Sequence, residues 1–275
     1  MGILVAAALA GCGGASAQGQ VRDSQSLPPF LKPWATFPVQ ASPRPIVLVY
    51  SPVTVSAGFA FPDGPWKEAF GNGEVDPPAQ LPTGPSTAQG YPVISAASAV
   101  ALLQSPSKGT AAAASVGGTR LRIASARFAE GTFDTDRGWR SLPAWLFTLA
   151  GIDGTVSVLA VAPSAQWAPP GSSPISPAGR PDIGARISAD HRTLTLGFTG
   201  AQSDKGPCGE AYTLDLTETS TAVLATVTRH HNDSNAVCTL IGYPRTASAV
   251  LKAPLGNRVV IEGFSGGLIA ATGSP

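Results

Sequence analysis

Glycine and proline interrupt this chain too often for long helices. Its 275 residues include 31 glycines and 26 prolines, and a helix interior loses about 1 kcal/mol to each glycine and about 3 kcal/mol to each proline. Short apolar runs survive between the interruptions, and several alternate with polar residues, the period of a half-buried strand. Hydrophobic residues make up 43% of the chain and charged residues 13%, which is ample material for a core at this length. The content of Val, Leu and Ile excludes full disorder. No apolar run reaches the length of a transmembrane helix. The 18 Lys and Arg residues are scattered against 17 Asp and Glu. No basic stripe is present to neutralise a row of phosphates, so nucleic acid is not an expected partner.

Read in order, residues 46–50 suit a short buried strand. Pro65 early and Gly71 late frame one or two helical turns, and residues 71–90 read as a Pro/Gly-rich loop. Ser95 is a natural N-cap for a helix over 96–104, with Ala96, Val100 and Leu103 on one face and Pro106 as its stop. A strand follows at 119–128. Asp153-Gly154, between apolar runs at 142–150 and 155–162, is the strongest hairpin signal in the chain. Pro163, Pro169, Pro170, Pro174, Pro177 and Pro181 mark residues 163–182 as a boundary. Beyond it Leu194, Leu196 and Phe198 alternate, as do Tyr212, Leu214 and Leu216, then Val223, Ala225 and Val227. Further strands at 247–251 and 258–261 are joined by Pro254-Leu255-Gly256-Asn257. The predicted class is α+β, mainly β: an antiparallel sheet or sandwich with one or two short helices, in two β-rich subdomains. The expected units are an α+β subdomain at 44–165, an all-β subdomain at 182–263 and a tail at 264–275.

Residues 3–10 are apolar and have the length of a signal-peptide h-region. They close on Leu9-Ala10-Gly11-Cys12, which resembles the lipobox of bacterial lipoproteins. The resemblance implies that diacylglycerol is attached to the Cys12 thiol, that residues 1–11 are removed, and that acyl chains such as palmitate hold the protein to the membrane. Ala10 and Gly11 are small enough for the extended backbone to enter the processing enzymes. One acyl chain holds only marginally, at about 0.8 kcal/mol per buried methylene, whereas two or three anchor stably. Only Met1 and Gly2 precede the apolar run, without the positive residues of a signal peptide. Ala15-Ser16-Ala17 before Gln18 offers a rival cut that would release a soluble protein. Residues 12–43 read as a flexible tether, interrupted by Trp34 and Phe37, which place its end against the folded part. With Cys12 assigned to lipid, Cys208 and Cys238 remain, and in an oxidising compartment such a pair is expected to form a disulfide. No CxxC accompanies them for metal.

The stretch Thr135-Asp136-Arg137-Gly138-Trp139 through Leu142-Pro143-Ala144-Trp145 is similar to actinobacterial secreted lipoproteins of unknown function. So are Cys208, Tyr212, Glu218 and Cys238, with Pro254-Leu255-Gly256-Asn257-Arg258. The resemblance covers pieces of residues 90–262. It implies an envelope location and carries no catalytic motif.

Candidate chemistry thins out on inspection. Gly263-Phe264-Ser265-Gly266-Gly267 matches a nucleophile elbow by letters, but that elbow needs a helix after it and then an acid and a His. Residues 268–275 contain neither. His230 and His231 stand beside Asn232 and Asp233, where a base and its orienter or a metal site could form. Neighbours on a strand point to opposite faces, so solvated loop histidines are the preferred reading, and His191 beside Asp190 reads as a turn residue. Asp134-Thr135-Asp136-Arg137-Gly138 opens like a calcium loop, yet its twelfth position is Trp145 and its Gly is one place early. A turn, with Asp134 or Asp136 paired to Arg137 or Arg140, fits better. Asn232-Asp233-Ser234 is a glycosylation sequon that matters only in a eukaryotic secretory setting. Of the tryptophans, Trp139 and Trp145 suit either a ligand groove or, as is commoner, the core. No catalytic, cofactor or metal residue is assigned. The expected function is that of a non-catalytic envelope lipoprotein binding an envelope protein or a small ligand, with a secreted hydrolase as the alternative.

Overall fold

The computed structural model describes residues 27–105, 118–170, 183–202, 206–231 and 237–273. Its first half contains β1 (Val53–Val55), α1 (Gly64–Gly71), β2 (Val75–Asp76), β3 (Thr87–Ala88), β4 (Tyr91–Pro92), α2 (Ala96–Leu103), β5 (Leu121–Thr135), β6 (Gly138–Leu149) and β7 (Val156–Leu159). The second half contains β8 (Gly184–Ile187), β9 (Thr193–Gly200), β10 (Glu210–Glu218), β11 (Ala222–His231), β12 (Tyr243–Val250), β13 (Val259–Glu262), β14 (Leu268–Ile269) and β15 (Ala271–Gly273). The protein is mainly β, of α+β type, with two α-helices among the described residues.

Both helices begin on side-chain caps. The Asp63 carboxylate accepts from the Trp66 backbone N–H at 3.3 Å, and Pro65 supplies a preset φ in the first turn. The Ser95 hydroxyl accepts from the Ser98 N–H at 3.1 Å. Ala96, Ala99, Val100 and Leu103 then bury the predicted face of α2 against Trp145, Phe147, Val156 and Val158. These belong to a five-stranded sheet ordered β1-β7-β6-β5-β2. The long β5–β6 hairpin turns at Asp136-Arg137, where Gly138 takes φ +79°, a conformation that favours glycine. Phe128 and Trp145 face each other across it, ring centroids 5.3 Å apart. The Asp153-Gly154 turn joins β6 to β7 as expected.

The second half is a sandwich of two sheets, β10-β11-β13-β14 and β12-β9-β8-β15. The alternating residues meet in its interior: Leu194 and Leu196 from one sheet, Leu214, Val223, Ala225 and Val260 from the other. The sheets are mixed rather than wholly antiparallel, because β13 runs parallel to β11 and β15 parallel to β8. The Pro254–Asn257 segment explains this. It crosses between the sheets instead of closing a hairpin, burying Leu255 in the core on the way.

Two expected boundaries move. The chain after Gly263 is not a tail, since Leu268, Ile269 and Ala271 are buried and lie in strands. Hydrophobic burial likewise ends the flexible tether before residue 43. Leu31, Trp34 and Phe37 pack on Leu224, Val259 and Ile261. The segment 46–49 then joins the two halves by alternation. Ile46 and Leu48 pack with Phe133 and Leu142, while Val47 and Val49 pack with Ala222 and Leu224. Residues 1–11, Cys12, the Ala15-Ser16-Ala17 cut, the sequon at 232–234 and Pro174, Pro177 and Pro181 lie outside the described residues.

Candidate functional site

A cavity of about 760 Å³ opens where the two halves meet, the size and position typical of small-ligand sites. Four short segments make its wall. The Pro29–Trp34 stretch turns through a short 3-10 helix, Lys32–Trp34, with Pro33 inside it. The 46–52 segment contributes Ile46, Leu48 and Tyr50, and residues 163–170 contribute Gln166 and Trp167. Ser265, Gly266, Gly267 and Leu268 come from the β13–β14 turn. Among the described residues the lining contains no Asp, Glu, Lys, Arg or His.

The aromatic wall is held by backbone hydrogen bonds and ring contacts. Trp167 donates its backbone N–H to the Ile46 carbonyl at 2.9 Å, and Ile46 donates to the Ala165 carbonyl at 2.9 Å. The Trp34 and Trp167 rings lie 4.9 Å apart, and Phe37 meets Trp167 edge-on at 5.1 Å. Such pairs add about 0.5–1.5 kcal/mol beyond the area they bury. The Gln166 side-chain amide donates to the Val161 carbonyl at 2.6 Å, which settles one polar group of the wall.

The opposite wall is the segment that mimics a nucleophile elbow, and the structure shows what holds it. The buried Glu262 carboxylate accepts from the backbone N–H groups of Phe264 at 2.7 Å and Ser265 at 2.5 Å. The Ser265 hydroxyl accepts from Gly267 N–H at 3.1 Å. Gly266 takes φ +72°, and a Cβ there would run into the Phe30 ring. A tight turn between two strands replaces the strand–turn–helix of an elbow, and among the described residues no imidazole lines the cavity. The glycines serve backbone approach here.

The other candidate residues are placed as follows. Cys208 and Cys238 are bonded, with Cα atoms 5.5 Å apart. Trp145 is core, whereas Trp139 is exposed. Asp136 is buried and paired with Arg44, and its distance to the Arg137 Nε is 3.7 Å. Arg44 as partner was not foreseen, because it lies 92 residues away. Burial pushes the Arg137 guanidinium below its usual pKa, an effect that Asp136 opposes. Among the described residues no group of three or more His, Cys, Asp and Glu is arranged to hold a metal ion.

His230 and His231 sit at the end of β11 rather than in a loop. Strand alternation sends them apart. His230 Nε2 lies 3.0 Å from the Thr213 hydroxyl, while His231 Nδ1 lies 3.2 Å from the buried Glu210 carboxylate. Tyr212 donates to the same carboxylate at 2.6 Å, and burial followed by Glu210 raises the phenol's pKa. Arg245 donates to the Glu210 carbonyl at 3.1 Å and stacks over the Tyr212 ring. This cluster clamps the ends of β10, β11 and β12 together. Its signal in the sequence was strand alternation, which puts Glu210 and His231 on one face only once the β10–β11 register is known.

The fold and the cavity together define a mainly β protein with an uncharged, aromatic-walled site at the junction of a mixed sheet and a sandwich. No protein-family model, curated protein or solved structure matches the chain.

Proposed function

We propose that this chain is a cell-envelope lipoprotein, anchored through Cys12, that works as a non-catalytic binding module. Its ligand is an uncharged, largely apolar small molecule or acyl chain held between Trp34, Trp167 and Leu48. The observation that carries this reading is the lining itself, which is concave, rich in Pro and Trp and, among the described residues, free of Asp, Glu, Lys, Arg and His. An anionic or cationic ligand would be desolvated there without a partner, at a cost of several kcal/mol. An apolar one gains about 25 cal/mol for each Å² removed from water. The lipobox supports the address, and the disulfide Cys208–Cys238 is in keeping with an oxidising compartment.

The test has two arms. Titration of the purified protein with Nile red, an uncharged apolar dye, is expected to give saturable one-to-one binding. Ala168→Trp, which projects bulk into the cavity from an exposed position, should abolish it. Unsaturable binding, or binding indifferent to this substitution, removes the cavity as the site. Mass spectrometry of protein from the membrane fraction reads the anchor. An acylated N-terminus at Cys12 is expected, and an unmodified N-terminus at Gln18 overturns it. Hydrolysis of a neutral ester that disappears in Glu210→Gln or His231→Ala would instead favour a secreted hydrolase.

A further inference from the structure

The cavity is uncharged, yet its wall presents an open hydrogen-bonding edge of main chain. Ile46 donates its N–H to the Ala165 carbonyl and accepts from the Trp167 N–H, both at 2.9 Å. These two bonds make one rung of a parallel ladder between residue 46 and residue 166. Val47 and Val49 turn the other way. The Val47 carbonyl accepts from the Asp136 N–H, and the Val49 N–H donates to the Asp134 carbonyl, both at 3.0 Å. An extended chain turns its N–H and C=O groups to alternate sides, so Leu48 presents both of its own on the side of Ile46.

The next rung of that ladder would join the Leu48 N–H to the Trp167 carbonyl and the N–H of residue 169 to the Leu48 carbonyl. Neither bond is made. Residue 169 is a proline, which has no N–H to give, and Pro170 follows it. On its far side Leu48 bridges Thr135 only through the bonds of Val47 and Val49. Among the described residues no group takes the Leu48 N–H or C=O. Leu48 is half-buried and lines the cavity together with Trp34, Trp167 and Pro169. The neighbouring Gln166 amide already donates to Val161, and the Ser265 hydroxyl already accepts from Gly267. A few placed main-chain groups in an apolar pocket fix the orientation of what binds there, and an open strand edge is completed by an extended peptide.

We propose that the cavity binds a short, uncharged, apolar peptide in extended form, which completes the ladder at Leu48 where Pro169 interrupts it. One peptide carbonyl accepts from the Leu48 N–H, and one peptide N–H donates to the Leu48 carbonyl. The peptide's side chains lie against Trp34 and Trp167. A free amino or carboxyl terminus would bring a charge into a lining that offers it no partner, so the site takes an internal or capped stretch of chain. This names the ligand class of the same cavity and rests on the binding reading above.

The test displaces Nile red from the purified protein with the capped peptide acetyl-Val-Leu-Val-amide and with three analogues, each N-methylated at one residue. The parent peptide is expected to displace the dye. Methylating the N–H that meets Leu48 should weaken displacement about tenfold, the factor carried by one unmet buried hydrogen bond. Methylating its neighbour, whose N–H faces away, should be tolerated. Deuterium exchange of the Leu48 amide, followed by NMR, should slow about tenfold or more at saturating peptide, because an unpaired amide becomes a paired one. Saturable dye binding with no displacement, equal displacement by all four compounds, or an unprotected Leu48 amide overturns the peptide assignment and leaves the cavity reading standing. Absence of saturable dye binding removes the cavity reading, and this inference with it.

Discussion

The Arg44 guanidinium holds both oxygens of the Asp136 carboxylate, with Nη1 donating to Oδ1 at 3.1 Å and Nη2 to Oδ2. The Asp136 side chain is 1% exposed, so this ion pair is desolvated at the junction between the β5–β6 hairpin tip and the sandwich. Arg44 also donates through Nε to the Asn257 carbonyl at 3.1 Å and stacks over Phe37. Arg137 reaches from the same tip to the carbonyls of Gly256 and Arg258 at 2.6 and 2.9 Å. One salt bridge thus ties the N-terminal segment, the hairpin and the crossing loop.

Arg44→Met is expected to cost about 3 kcal/mol of unfolding free energy, because it leaves the buried carboxylate with only the more distant Arg137, at 3.7 Å, as counter-charge. Arg44→Met combined with Asp136→Leu should recover much of that loss. A urea-unfolding double-mutant cycle checks this. Equal and additive losses would mean that the two residues act independently.

The Glu218–Arg258 pair predicts an acid limb of stability. Burial pushes the Glu218 carboxyl up, but the Lys252 backbone N–H and the Arg258 guanidinium together prevail, leaving its pKa below the ordinary 4.5. The Arg258 Nη1 lies 2.7 Å from Glu218 Oε2. With the folded-state pKa lowered, this contribution is fully present above about pH 4.5 and is lost as pH falls through the folded value. Melting curves between pH 3 and 6 should show Glu218→Gln flattening this limb. An unaltered slope would assign it to other carboxylates.

Reduction of Cys208–Cys238, 30 residues apart in sequence, should cost about 3–4 kcal/mol on the loop-closure account. That corresponds to a fall of roughly 10 °C in Tm for a protein of this size. Differential scanning calorimetry with and without reductant measures it. A shift under 2 °C or so would show that the loops are held together chiefly by the Glu210 cluster.

The β13–β14 turn offers a test of the cavity wall. Glu262→Ala removes a charged acceptor from two backbone donors, and about 2–3 kcal/mol of stability should go with it. Gly266→Ala places a Cβ at φ +72° and against the Phe30 ring, costing about 1–2 kcal/mol for the backbone strain alone. Both should also weaken Nile red binding, because Phe30 and the turn are lining residues. Lost stability with undiminished dye affinity would detach the turn from the site.

Much of the local structure was legible because it depends on neighbours in sequence. Ser95 as N-cap, Pro65 in the first helical turn and Asp153-Gly154 between strands act over a few residues, and each does so in the structure. The alternation of Leu194 with Leu196, of Leu214 with Leu216 and of Val223 with Ala225 named the residues that line the sandwich. Alternation has a period but no partner. It says that a face is buried and leaves open against what.

The sequence by itself determined a mainly β chain with one or two short helices, of which the structure shows two, and it left Cys208 and Cys238 as the pair that the structure joins. Only the tertiary structure decided which strands became neighbours. Pairing β13 parallel to β11 required β12 to leave for the other sheet, a choice between long-range partners that local periodicity cannot rank. The same holds for the cavity, whose wall joins Trp34, Leu48, Trp167 and Gly266 from four separated segments. It also holds for Asp136, which lies 3.7 Å from the expected Arg137 but, buried at a junction, is held more closely by Arg44 from 92 residues away. Burial is a property of the assembled sheets, and it turned an ordinary turn residue and a stretch read as tether into the joint of the molecule.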